Sequence, residues 1–334
     1  MRDVTATLLR CPRCDAEGSL RIEARERDDR EVRTGTLACS ACGRTATVTR
    51  GVADLLDQPP DHVVREAAGL GRFADFMRGD GWDVARVLNL PDEPSPYWYS
   101  QRLSFHAFLE RVDFRAGQRL LDVGANTCWA SAAFAARGLD VVALDISLHE
   151  LQGLYTADFW MDDRGVFFER LLAPMFDLPL RTASLDHVFC CEVLHHNDRR
   201  SLRRTFAEIH RVLKPGGVLS VVNETMRFPL APNLHPGHEV ADFEGYEHAF
   251  LFSSYWRAAR RAGFHVEVVE PANHWIFRDE PLTLDASTGL KAGVRLAWVN
   301  FCRRKPRLRR AYLHWLNLVR GGVQLSLVCR KPDS

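Results

Sequence analysis

The sequence predicts a doubly wound, Rossmann-like α/β sheet, preceded by a small β unit held by cysteines. Three observations carry this reading. Residues 119–147, RLLDVGANTCWASAAFAARGLDVVALDIS, place an apolar run, Leu120 to Val123, before Gly124, then a small-residue helix from Ala130 to Arg137 closed by Gly138. A second apolar run, Val141 to Leu144, ends on Asp145. Strand, tight turn, helix and a strand ending in an acid make the opening βαβ unit of such a sheet. The second observation is downstream, where further apolar runs alternate with helical periodicity. The third is upstream, where two C-x-x-C pairs fall within the first 42 residues.

The βαβ unit does not suit a dinucleotide. In G-x-G-x-x-G the third glycine lets helix and strand approach closely, and here Trp129 holds that position. The stretch instead resembles motif I, D-x-G-x-G-x-G, of the class I S-adenosylmethionine (SAM)-dependent methyltransferases (the type 11-like group). Asp122, Gly124 and Asp145 match, while Asn126 and Cys128 replace the second and third glycines. Asparagine is the non-glycine residue that best tolerates positive φ. The resemblance implies SAM bound by Asp122, Gly124, Asn126, Cys128, Asp145 and Ile146, with Asp145 on the ribose hydroxyls.

Composition describes a soluble globular protein of 334 residues, 46% hydrophobic and 26% charged, with formal net charge +1. That balance carries no global nucleic-acid signature. No run approaches the ~20 apolar residues of a membrane span, and the N-terminus lacks a secretory pattern. Nine cysteines in this setting point to a reducing compartment, with cytoplasmic location expected and some thiols reserved for metal.

Residues 1–58 form the expected small unit. Cys11, Cys14, Cys39 and Cys42 offer four thiolates that can close a tetrahedron around a structural Zn²⁺, leaving no open position for catalysis. The run LLRCPRC…LACSACGRTATVTRGVADLL also resembles the zinc-ribbon methyltransferase activators. Ten arginines balance ten acids across this unit, which favours packing on the chain's own catalytic domain or on a protein partner over phosphate contact. Residues 59–96, punctuated by prolines and glycines, read as a linker with short helices, one over 62–77. A helix follows from Tyr97 to Val112.

The resemblance covers roughly residues 97–223 and continues more weakly to the end, so a methyltransferase domain is expected over 97–334. Strands are expected at 167–172, 186–191, 218–222, 264–269 and 323–329, with helices at 199–213 and 253–262. The runs Glu192-Val193-Leu194-His195-His196 and Leu213-Lys214-Pro215-Gly216-Gly217 are typical of the resembled family, so a seven-stranded methyltransferase sheet is implied. The family's adenine-contacting aspartate aligns with Pro174. Asp177 is its nearby substitute, and Glu192 joins the cofactor set. Two insertions interrupt the scheme. One, 226–252, follows the fifth strand as an expected lid over the acceptor and carries Glu247 and His248. The other, 272–320, holds nine basic residues and no acid from Lys291 to Arg320, and a helical stripe of Leu308, Tyr312, Trp315, Leu316 and Val319.

Methyl transfer chiefly requires alignment, and a general base helps where the acceptor is a hydroxyl or protonated amine. His195 and His196 are the first base candidates, followed by His248 and Glu247. Each also admits a purely structural role. The acceptor is read as a small-molecule or glycan-type compound, free or lipid-linked, methylated on O or N. RNA methylation is the alternative, and a non-catalytic scaffold that binds a protein partner is the third. The basic insertion admits phosphate contact, contact with an anionic membrane or lipid, or packing of its stripe with the arginines left in solvent.

Overall fold

The computed structural model describes residues 1–227, 243, 248–274, 277, 290–319 and 324–333. The N-terminal unit comprises α1 (Asp3–Ala6) and the strands β1 (Leu20–Arg27), β2 (Val32–Cys39), β3 (Thr45–Thr49) and β4 (Val52–Asp54). The linker forms α2 (Asp61–Gly79) and α3 (Val84–Leu88), and α4 (Pro96–Arg111) leads into the sheet. Then come β5 (Arg119–Val123), α5 (Trp129–Ala135), β6 (Asp140–Asp145), α6 (Ala157–Arg164), β7 (Glu169–Leu172) and β8 (Leu185–Cys191). The chain finishes with α7 (Arg199–Val212), β9 (Leu213–Glu224), α8 (Phe252–Arg261), β10 (His265–Val269), α9 (Leu290–Arg303), α10 (Pro306–Val319) and β11 (Leu325–Arg330).

These strands form one sheet of eleven, in the order β1-β2-β3-β4-β7-β6-β5-β8-β9-β11-β10. Seven of them are the expected methyltransferase sheet. β7, β6, β5, β8 and β9 run parallel, and β11 inserts antiparallel between β9 and β10. The N-terminal ribbon adds to this sheet instead of standing apart. β4 pairs parallel with β7, Ala53 opposite Leu171, and so extends the edge by four strands. An exposed strand edge is a template for pairing, and the ribbon caps this one. β9 is also longer than expected, reaching back to Leu213 and forward to Glu224.

Period-2 alternation divides the core. Leu121 and Val123 of β5 face the layer of α7 and α8, with Phe206, Ile209 and Tyr255, while Leu120 faces the layer of α4, α5 and α6, with Phe105, Phe134 and Trp160. Ribbon residues Leu20, Leu37, Val48 and Ala53 belong to the same buried cluster as Leu121 and Leu171. Trp129, which ruled out a dinucleotide turn, packs edge-on against Phe105 at 4.9 Å between centroids. α5 ends as its sequence suggests: Gly138 (φ +81°) donates to Ala135 and Leu139 donates to Phe134, a Schellman closure.

Strand order reverses between β5 and β8. In open α/β sheets the crevice beyond the carboxyl ends at such a reversal is where ligands bind. The loop after β5 and the run after β8 flank it.

Candidate active site

The loop after β5 alternates in hand. Gly124, Asn126 and Cys128 take φ of +69°, +43° and +55°. Motif I places glycines at these three positions, and the two replacements keep the backbone that glycine permits. Gly124 admits no side chain, because a Cβ there would lie 2.2 Å from Cγ2 of Val193. Cys128 is buried at the N-cap of α5. Asp122 lies beneath the loop and accepts a 2.6 Å hydrogen bond from Ser131 Oγ, and burial pushes its carboxyl up to about 7.

Asp145 organises the loop from the next strand. Its Oδ2 accepts from the Asn126 amide at 2.8 Å, and its Oδ1 accepts from the Ile146 and Ser147 amides at 2.7 and 2.8 Å. A carboxylate has about four lone-pair sites, so one remains, on Oδ2. Burial raises this carboxyl against the pull of the three amides. Oδ1 of Asn126 is buried with no hydrogen-bond partner. An unsatisfied buried acceptor in a cradle of positive-φ residues fits a ligand that brings an amine or hydroxyl donor, as SAM does.

Across the reversal, the run after β8 holds two histidine–carboxylate pairs. Nδ1 of His195 lies 2.7 Å from Oε1 of Glu224, at the end of β9. The Glu224 side chain also accepts from the Leu194 and His195 amides at 2.9 and 3.0 Å. Burial pushes Glu224 up, but His195 and these amides overcome it and hold the carboxyl below its ordinary value. The carboxylate therefore fixes Nδ1 of His195 as the donor and leaves Nε2 as the acceptor. Nδ1 of His196 lies 2.7 Å from Oε1 of Glu66 on α2. The two imidazoles lie 4.3 Å apart.

Glu192 takes φ +48° and accepts from the Tyr97 hydroxyl at 2.6 Å and from Gln324. Burial raises its carboxyl. The His248 amide donates to the His195 carbonyl at 2.7 Å, so the end of the first insertion returns to this cluster. Burial lowers the His248 imidazole pKa, helped by Arg199 and Arg227. Glu247 lies outside the described residues, as do 228–242 and 244–246.

Asp177 is not brought to the loop. It pairs with Arg10 of the ribbon at 2.9 Å and Arg204 of α7 at 3.5 Å, in the seam between ribbon and sheet. Sequence reasoning missed Glu224, Glu66 and Tyr97. A signal existed for Glu224: a charge two residues after the mostly apolar run Val218 to Val222 is costly to bury without a partner.

In the ribbon the four cysteine sulfurs lie within 4.8 Å of one another. The pairs Cys11–Cys42 and Cys14–Cys39 are each 3.7 Å apart. A tetrahedron with ~2.3 Å metal–sulfur bonds has edges of about 3.8 Å, so the set is compatible with zinc. All nine cysteines are free of disulfides.

The sheet order and this loop have the architecture of a Rossmann-like methyltransferase fold. Residues 121–221 match the family model described as a methyltransferase domain. The chain is 31% identical over 115 residues to an O-methyltransferase named rstn1 from Aspergillus nomiae, covering 34% of this chain and 50% of that protein. It is 33% identical over 155 residues to a malonyl-[acyl-carrier protein] O-methyltransferase from Gallionella capsiferriformans, covering 44% of this chain and 48% of that one. The chain thus spans about half the length of these curated relatives. Among solved structures, the [4+2]-cyclase SpnF superposes with a TM-score of 0.50 at 18% identity, covering 80% of this chain and 97% of that one. That likeness concerns the fold alone.

Proposed function

We propose that this chain transfers a methyl group from SAM to an oxygen or nitrogen of a small-molecule or glycan-type acceptor, and that its ribbon holds a structural Zn²⁺. The observation that carries the reading is the loop after β5, with its three positive-φ residues, its unsatisfied Asn126 Oδ1 and its tie to Asp145. The cofactor supplies a methyl already activated by the sulfonium, so the protein's task is chiefly alignment. Residues 124–128, Asp145 and Ile146 hold it at the carboxyl ends of β5 and β6, with Glu192 on the facing rim. Asp177 has no part in this version of the site.

On the acceptor side, Nε2 of His195 takes the proton of a hydroxyl or ammonium. Glu224 holds the ring in the required tautomer and stabilises the imidazolium that forms. Oxygen as the acceptor atom draws support from the names of the relatives. RNA has less support, because ribbon arginines are engaged by carboxylates: Arg33 and Arg50 by Asp158, Arg30 by Asp162, Arg10 by Asp177 and Glu208.

Calorimetry with SAM and S-adenosylhomocysteine tests the reading, followed by transfer of labelled methyl into a metabolite extract. One binding site per chain is expected, and no heat at millimolar cofactor would overturn it. With an acceptor in hand, His195→Gln should lower kcat about 10²-fold and leave cofactor affinity unchanged. An unaltered kcat would remove His195 from the role of base.

A further inference from the structure

The helical pair α9–α10 is not absorbed by the catalytic reading. Its inner side is conventional, with Cys302, Leu313 and Leu316 buried. Its outer side is not. Val294, Trp298 and Phe301, at i, i+4 and i+7 of α9, are 65, 62 and 50% exposed, and Leu308 and Trp315, seven apart on α10, are 39 and 44% exposed. Five of the ten large apolar side chains that the described residues expose thus fall on this one pair. The expected stripe of α10 is therefore split: Leu316 packs inward, whereas Leu308 and Trp315 face solvent.

The charge is as one-sided as the apolar exposure. No acid occurs from Lys291 to Arg320. Arg304, Lys305, Arg307 and Arg310, at the turn between the helices and the first turn of α10, are all exposed. Lys305 Nζ sits 5.9 Å from the Phe301 ring centroid, so cation and aromatic share a surface.

We infer that α9–α10 docks on an anionic membrane surface. Tryptophan and phenylalanine beside an exposed basic turn, in which Arg309 is held by Glu270, suit the headgroup layer, where the rings enter the acyl boundary and the exposed cations meet lipid phosphates. A protein partner as basic-seeking as this would need an acidic groove lined with apolar pockets, whereas an anionic bilayer supplies both requirements at once. No helix of the described residues is long and apolar enough to cross a membrane, so the contact is peripheral. The hairpin is rooted at the cleft: Asn273 donates to Ser100 Oγ on α4 and to Gln324, and Gln324 donates to Glu192.

The test is flotation of the full-length protein with vesicles of phosphatidylglycerol and phosphatidylcholine, against vesicles of phosphatidylcholine alone. It needs neither cofactor nor turnover, so its outcome is independent of the methyltransferase reading. Binding to the anionic vesicles only, weakening as salt rises, is expected. The triple variant Arg304→Gln/Lys305→Gln/Arg307→Gln should bind roughly a hundredfold more weakly, at about 1 kcal/mol per basic residue. Trp298→Ser/Phe301→Ser should also lose binding while circular dichroism and melting stay as in the parent. Any of three results overturns the inference: no flotation on anionic lipid, equal flotation on neutral lipid, or either variant binding like the parent. So does ultracentrifugation in which Trp298→Ser/Phe301→Ser converts a dimer to a monomer, since the face would then be a self-interface.

Discussion

Asp122 shows how one buried residue can set a pH response. Its only side-chain partner among the described residues is Ser131, and its carboxyl titrates at about 7 in the folded protein. In the unfolded chain the same group titrates near 3.9. Between those values the folded state holds a proton that the unfolded state has released, so stability falls as pH rises. At about 1.4 kcal/mol per pH unit the loss is at most about 4 kcal/mol. Stability by denaturant unfolding from pH 4 to 8 should decline less steeply in Asp122→Asn, which stays neutral throughout, than in the parent. Some decline remains in the variant because burial also raises Asp145, Glu169 and Glu192. The same slope in both proteins would remove Asp122 as its source. This residue was legible in the sequence, as were Gly124 and Asp145, because a βαβ turn concentrates its requirements within about twenty-five residues of chain. Glu66 was not, since its partner lies 130 positions away and no local pattern marks it, and Glu224, 29 positions from its partner, showed only as a charge closing a mostly apolar run.

At the scale of elements, β4 is the least legible piece of the fold and the one that joins its halves. Three residues, Val52 to Asp54, give no periodicity to read, and their partner strand lies more than a hundred residues on. The sequence therefore shows the ribbon and the sheet but not their continuity. The seam is electrostatic as well as apolar. Arg170 of β7 and Glu31 of the ribbon, each 1% exposed at the side chain, form an ion pair, and Arg33 reaches Glu31 Oε1 at 2.8 Å. Gly51 (φ +75°) crosses directly over the pair, where a Cβ would lie 2.2 Å from Nη2 of Arg170. Removing one partner leaves the other buried with fewer counter-charges, Glu31 with Arg33 and the Met1 ammonium, or Arg170 with Asp158. Arg170→Met should cost about 3 kcal/mol, the lower end of the usual range, because Arg33 still serves Glu31. Replacing both, Arg170→Met with Glu31→Gln, which removes the buried negative charge and still accepts from the Met1 ammonium, should recover part of that loss. A double variant no more stable than the single one would show that the charges do not act as a pair.

For the whole molecule, the question is whether the ribbon is an accessory or part of the folding unit. Its apolar side chains share a core with the β7 edge, and Cys11, Cys14, Cys39 and Cys42 would hold a zinc that ties the first knuckle to the end of β2. Metal-binding energy in a four-thiolate site acts as folding energy for the segment that carries it. If the sheet is cooperative across β4 and β7, losing the metal uncovers the β7 edge, exposes Leu171, Leu178 and Leu180, and weakens the catalytic layers too. Protein purified without chelator should carry one zinc per chain by elemental analysis. Calorimetry after exhaustive chelation should then show a single transition lowered by about 10 °C, the equivalent of a few kcal/mol for a domain of this size. Cys14→Ser/Cys42→Ser should reproduce the shift without chelator, since those two thiols are exposed and contribute little packing. Two separated transitions, the upper one unmoved by chelation, would show instead that the eleven strands are continuous in hydrogen bonding but not in energy.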